Sequence, residues 1–234
     1  MTDAVFQQDA YQTETDATIT AVYGDWVITD KTVFYPRGGG QPGDTGTWRL
    51  PNGETVRVLD TRKGEGGQIR HQVENANDLA PGQSVAMKLD WDRRYRLMRM
   101  HTCLHLLSAL IPCGVTGGDV GEDKSRLDFD IGDLVLDAEA LTEGLQRLIA
   151  EDHPVSIETL TEAELDQQPE LIKTMSVRPP RGVGDIRMIR VDGVDYQPCG
   201  GTHIRHTGEI GAMRVSDIRS KGARNKRVVI TWGA

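Results

Sequence analysis

Apolar and polar residues alternate in short runs through residues 15–90, with turn residues between the runs. Ala17 to Tyr23 alternates, and Asp25 to Asp30 carries Trp26, Val27 and Ile28. Thr45 to Leu50, Glu54 to Thr61, Gln68 to Val73 and Val85 to Leu89 follow. The breaks are Gly24-Asp25, the run Gly38-Gly39-Gly40, Pro51-Asn52-Gly53, Gly64 to Gly67 and Pro81-Gly82. Several short strands at this spacing predict a small antiparallel β-barrel.

The pattern changes near Asp90. Tyr95 to Ile111 places Leu97, Met98, His101, Leu104, His105 and Leu107 at helical spacing, and Pro112 stops the helix. Asp137 to Asp152 predicts a second helix, with Leu141, Leu145, Leu148 and Ile149 as its apolar stripe. Ser125 to Ile131, Pro154 to Thr159, Asp185 to Val191, Ile210 to Ile218 and Arg227 to Trp232 predict strands. This mixture predicts an α+β domain over 91–234 behind a barrel domain over 1–90.

The 234 residues suffice to bury a real core in either domain. The opening MTDAVFQQDAYQTETDATIT has no basic segment leading into an apolar run, so a secretory signal is not expected. The longest apolar stretch, Leu104 to Pro112, is too short to span a bilayer. The expectation is a soluble, cytoplasmic protein with no membrane contact; its oligomeric state is left open. Net charge is −8, which argues against broad nucleic-acid binding over the whole surface. Positive charge is nonetheless clustered, at Arg93, Arg94, Arg96 and Arg99, and again at Arg214, Arg219, Lys221, Arg224, Lys226 and Arg227. Either cluster can be a basic docking face or a solvated face balancing acidic neighbours.

Three cysteines, Cys103, Cys113 and Cys199, argue against a disulfide framework and for thiolate chemistry in at least one. In the first helix His101 and His105 stand at i and i+4, so both imidazoles can reach one ion. Cys103 points about 200° from His101 and belongs in the core. Cys113, after Pro112, reads as structural. Far along the chain, Cys199 and His203 flank a Gly-Gly turn that can aim both side chains at one point. Three histidines and one cysteine make a tetrahedral set suited to Zn2+. His206 is an alternative to His203. A peptidase of the HExxH kind is disfavoured, because Thr102 stands where the general-base glutamate would be.

HxxxH followed by CxxxH about a hundred residues later resembles the editing domain of alanyl-tRNA synthetases and its freestanding relatives, the AlaX proteins; threonyl-tRNA synthetases carry a related domain. Arg93 to Arg99 leading into HTCLHLL, SRLDFD from Ser125, QPCGGTHIRHTGEIG from Gln197 and the basic end Lys221 to Val228 extend the match over about residues 90–234. Phe34 to Asp44, FYPRGGGQPGD, resembles the glycine-rich motif of the medium-length AlaX class, in which a barrel precedes the editing domain. One departure is that PCGVTGG after the helix lacks the glutamine usual in synthetase editing domains. Thr116 and Ser125 are the polar, catalytic candidates for that side of the pocket.

The resemblance implies trans-editing: hydrolysis of the ester of a mischarged tRNA(Ala), chiefly Ser-tRNA(Ala) and secondarily Gly-tRNA(Ala), without ATP. The metal would be held by His101, His105, Cys199 and His203. Gly38, Gly39, Gly40 and Gln41 would face the substrate, and Arg219, Lys221, Arg224 and Lys226 the tRNA phosphates. Zinc would activate water, position the substrate or serve structurally. The rival readings are a non-catalytic zinc module that binds RNA and a zinc hydrolase of another ester or amide.

Overall fold

A computed structural model of the protein describes residues 1–175, 182, 184–222 and 224–233. The chain divides into two compact units, Met1–Tyr95 and Arg96–Ala234. The first holds β1 (Asp3–Ala4), β2 (Glu14–Tyr23), β3 (Trp26–Thr29), β4 (Lys31–Thr32), β5 (Gly46–Arg49), β6 (Thr55–Lys63), β7 (Ile69–Val73) and β8 (Ser84–Leu89). Six of these close into an antiparallel barrel in the order β2-β3-β7-β6-β5-β8. Period-two alternation fills it: Val85, Met87 and Leu89 of β8 point inward, as do Ile69, His71 and Val73 of β7. Gly46 is required where β5 meets β8, because a Cβ there would lie 2.3 Å from the Lys88 carbonyl oxygen.

His71 occupies an inward place otherwise given to apolar residues, and its ring is fully paired. Its Nδ1–H donates to the Val27 carbonyl at 3.2 Å, and its Nε2 accepts from the Thr32 hydroxyl at 2.8 Å. Burial pushes its pKa down to about 4, against the smaller opposing effect of the Val27 carbonyl.

The glycine-rich segment is a tight hairpin tip. Gly38 N–H donates to Gln41 O and Gln41 N–H to Gly38 O, with Gly39 and Gly40 at φ of 56° and 81° between them. Two successive positive φ angles are what a type I′ turn demands, and glycine supplies them without strain. The Tyr35 hydroxyl donates to the Gly38 carbonyl at 2.8 Å.

Helix α1 (Trp91–Leu110) begins four residues before the expected Tyr95. The reason is tertiary. Arg94 is wholly buried and ion-paired with Asp44, and donates to the carbonyls of Ala10 at 3.0 Å and Val33 at 2.7 Å. The arginine cluster around it is therefore no free basic face. Arg96 pairs with Asp123 at 2.7 Å, and Arg99 donates to the Ile210 carbonyl from Nε at 2.9 Å.

The second unit continues with β9 (Gly114–Asp119), β10 (Lys124–Asp130), α2 (Ala138–Ala150), β11 (Val155–Leu160), α3 (Glu162–Asp166), β12 (Ile186–Val191), β13 (Asp195–Pro198), β14 (Met213–Ser220) and β15 (Asn225–Trp232). Two antiparallel sheets result, β14-β15-β10-β9 and β11-β12-β13, with α2 against β14. This is the expected α+β fold behind a barrel. Asp137 caps α2 by accepting the Ala140 N–H at 2.7 Å. The strand expected from Ile210 starts only at Met213, because Gly211 turns the chain at φ 75° after a 3-10 turn over Thr207–Ile210. Glycine-rich β9 and the short β13 carry too little apolar alternation to be read from sequence. No helix among the described residues is long and apolar enough to cross a membrane.

Candidate metal centre

From Met100 to Ser108 helix α1 is buried on every side. Its polar residues there must find partners inside the protein. His101, His105, Cys199 and His203 converge, with one ligand atom from each and all four atoms within 4.8 Å of one another. The Cys199 sulfur lies 3.6 Å from His101 Nε2 and 3.3 Å from His203 Nε2. The three histidines are buried and Cys199 is partly open. This group can hold one metal ion.

The residues around it hold the outward ring nitrogens. His105 Nδ1 meets Asp195 Oδ2 at 2.7 Å, and His203 Nδ1 meets the Thr102 hydroxyl at 3.1 Å. Both contacts leave Nε2 for the cluster. Thr102 thus has a structural use that its place in an HExxH comparison conceals. Asp195 and Gln197 share one face of β13, as i and i+2 must. The Gln197 amide donates to Asp195 Oδ2 at 2.8 Å and to Ser108 Oγ at 3.1 Å. Lys173 Nζ reaches Asp195 Oδ1 at 2.5 Å.

Charge follows this wiring. Burial pulls the Asp195 carboxyl upward, but His105 and Lys173 outweigh it and hold the group at about 2. Burial would lower His105, yet Asp195 and Cys199 push it up to about 9. Burial raises the Cys199 thiol, and the neighbouring histidines overcome this, leaving it well below its ordinary value. His203 is pushed down to about 3 by burial and by His101. Cys103, buried in the core as expected, is pushed up to about 12 and stays a thiol.

The Gly200-Gly201 turn is held differently from expectation. Neither glycine adopts a positive φ. Arg187 pins the turn instead, donating from one guanidinium nitrogen to Cys199 O at 2.7 Å and Gly201 O at 3.0 Å. His206 lies outside the cluster, with Nδ1 3.8 Å from Asp152. Thr116 sits on β9, where its oxygen accepts from Asn225 at 2.6 Å. Ser125 on β10 is buried, and its hydroxyl bonds the Gly121 backbone in both directions. In the basic end, Arg219, Arg224 and Arg227 pair with Asp217, Asp130 and Asp128. Lys226 donates to Ser220 Oγ at 2.5 Å, and Lys221 is exposed.

Asp195, Gln197, Lys173 and Ser108 escaped the sequence reading. The period-two placement of Asp195 and Gln197 just before Cys199 was the available signal.

Comparison with known proteins agrees with this geometry. Residues 2–93 match the model of class II (A) tRNA synthetases, and 186–229 that of the threonyl and alanyl tRNA synthetase second additional domain. The alanyl-tRNA editing protein AlaX-M of Methanosarcina barkeri is 35% identical over 241 residues, covering 99% of both chains. AlaX-M of Saccharolobus solfataricus is 33% identical over 235 residues, again 99% of each. An alanine–tRNA ligase of Pyrococcus abyssi is 34% identical over 222 residues, which is 92% of this chain and 24% of the ligase. With relatives matched end to end and the second motif pair folded into one cluster with the first, the chain belongs to the AlaX family of alanyl-tRNA editing proteins.

Proposed function

We propose that this protein is a zinc-dependent aminoacyl-tRNA deacylase that edits in trans, acting on mischarged tRNA(Ala), with Ser-tRNA(Ala) the chief substrate and Gly-tRNA(Ala) a second, in the cytoplasm. The observation that carries the reading is the cluster of three buried histidines and one cysteine in a chain matched over 99% of its length by an alanyl-tRNA editing protein. Zinc is favoured by the donor set and by spacing. Zinc–nitrogen bonds of about 2.0–2.1 Å and a zinc–sulfur bond of about 2.3 Å put tetrahedral nitrogen and sulfur ligands about 3.6 Å apart. The cysteine sulfur lies 3.6 Å from His101 Nε2 and 3.3 Å from His203 Nε2, and all four ligand atoms lie within 4.8 Å of one another. His101, His105, Cys199 and His203 would be its ligands.

When bound, zinc supplies Lewis-acid polarisation of an ester carbonyl or of water. The chain's own residues prepare for it. Asp195 keeps a proton on His105 Nδ1, and Thr102 orients His203. In the reaction, water adds to the ester carbonyl carbon, the bond to the tRNA ribose oxygen breaks, and that oxygen takes the proton. An aminoacyl ester needs no ATP for this, and positioning with oriented dipoles supplies the rate. Thr116, whose oxygen accepts from Asn225 and whose own O–H remains to donate, is the better candidate to meet a seryl hydroxyl; Ser125 is tied to Gly121. The Gly38–Gln41 tip would face the substrate, and Arg219, Lys221, Arg224 and Lys226 the tRNA phosphates.

The test is serine release from Ser-tRNA(Ala) without ATP, beside alanine release from Ala-tRNA(Ala). Fast release of serine only is expected. Equal rates on both would end the editing reading, and no release from either would favour a binding module.

A further inference from the structure

The outer wall of the barrel carries a basic face that this function leaves unused. The guanidinium carbons of Arg70 and Arg62 lie 4.9 and 5.3 Å from the centre of the Trp26 ring. In the β6–β7 ladder Arg62 stands directly opposite Arg70. Like charges so placed repel, and the indole face offsets part of that cost. Arg62 also pairs with Asp60 at 2.7 Å. Arg70 has no carboxylate within ion-pair reach among the described residues.

The positive charge continues to the barrel rim. Lys63, next to Arg62, extends over the glycine hairpin: a side-chain carbon on Gly38 would lie 3.5 Å from Lys63 Nζ. Arg37 is exposed, and its N–H donates to Thr61 O at 2.9 Å, which sets it beside the same strand. Neither Lys63 nor Arg37 has an ion pair among the described residues. Beyond Trp26 its cross-strand neighbour Tyr23 is 67% exposed. Arg62 and Arg70 thus share the outer face with Trp26, whereas Lys63, opposite the inward Ile69, leaves the adjoining rim beside the hairpin that follows Arg37; Asp60 and the turn residue Glu65 are acids near them in a chain of net charge −8.

We propose that Arg62 and Arg70 over Trp26, together with Lys63 and Arg37 at the adjoining barrel rim, form a tRNA-docking surface distinct from the basic end at Arg219 to Arg227. The occupant is the ribose–phosphate backbone, and the inference rests on the tRNA-editing reading. Unpaired cations gain by neutralising phosphates and releasing counterions. Arginine forks suit phosphate oxygens, and stacking on Trp26 pre-orders two of them, so less side-chain entropy is lost on binding.

The experiment is binding of labelled, deacylated tRNA(Ala) by fluorescence anisotropy over a salt series. The Lys63→Gln/Arg70→Gln variant should bind on the order of tenfold more weakly near 0.1 M salt, with its log–log salt slope reduced by roughly two. Arg70→Lys should keep the slope. Arg37→Gln, at an exposed site, should lose about one unit of slope with an unchanged melting temperature, which covers the case of a double variant that folds poorly. Variants matching wild type in affinity and slope, while wild type binds tRNA and deacylates Ser-tRNA(Ala), would overturn this surface alone. A wild type without salt-dependent tRNA binding would overturn the surface and the editing reading together.

Discussion

A buried carboxylate is costly unless its charge and lone pairs are met, and Asp195 meets that condition from three sides. His105, Gln197 and Lys173 all reach it, and its side chain is fully buried. The arrangement keeps His105 Nε2 aimed at the cluster. Asp195→Asn preserves shape but removes the charge. Its metal affinity should fall by about 10–100-fold, read by competition with a chromophoric chelator. Cys199→Ala, which removes a ligand, should lose the metal outright. Unchanged affinity in Asp195→Asn would reduce Asp195 to a structural ion-pair partner. At this scale the chemistry-bearing histidines and cysteine were visible from their spacing. The contact between Asp195 and Lys173 was not, because an acid and a lysine 22 residues apart have no periodicity that announces it.

Among the elements, the barrel was the most legible, because period-two alternation dictates which face of each strand is buried. His71 is the exception within that pattern, and it makes the barrel sensitive to acid. Its folded pKa of about 4 lies below the ordinary 6.5, so below pH 6.5 the unfolded chain binds a proton that the folded barrel refuses. Stability is therefore unaffected above pH 6.5, falls as pH drops towards 4, and then levels off. The loss attributable to this group is on the order of 3 kcal/mol. Urea titrations between pH 7 and pH 4 on wild type and His71→Gln should show the substitution flattening that interval. Parallel curves would mean His71 is protonated within the fold. Helix α1 was legible in its apolar half only. Its first turn, Trp91 to Arg94, has no apolar stripe and is helical because Arg94 is claimed by Asp44.

For the whole molecule, the four candidate ligands come from α1 and the loop after β13, segments about ninety residues apart in sequence. A cation that binds only the folded arrangement stabilises it by mass action, about 4 kcal/mol at a thousandfold excess over Kd. Chelation should therefore lower the melting temperature of wild type and leave Cys199→Ala unmoved. An unmoved wild type would mean that the cluster forms without a cation's help. Net charge is likewise a poor guide at this scale. Among the described residues, a chain of −8 leaves Arg37, Lys63 and Arg70 without an ion pair, while five arginines of the two sequence clusters, Arg94, Arg96, Arg219, Arg224 and Arg227, pair with aspartates.

What the sequence determined by itself was whatever depends on local geometry. Helical spacing puts His101 and His105 on one side, strand alternation builds a barrel, and consecutive glycines break the chain between strands. The convergence of the two motif pairs was inferable only from their chemistry, since nothing local joins residues a hundred positions apart. The tertiary structure decided the rest. It gave Asp195 and Thr102 the task of orienting histidines, used Arg187 to hold a turn that glycine conformation does not hold, and sorted paired arginines from free ones. Each of these depends on which partner a polar group finds once water is excluded, and that is set by packing between segments far apart in the chain.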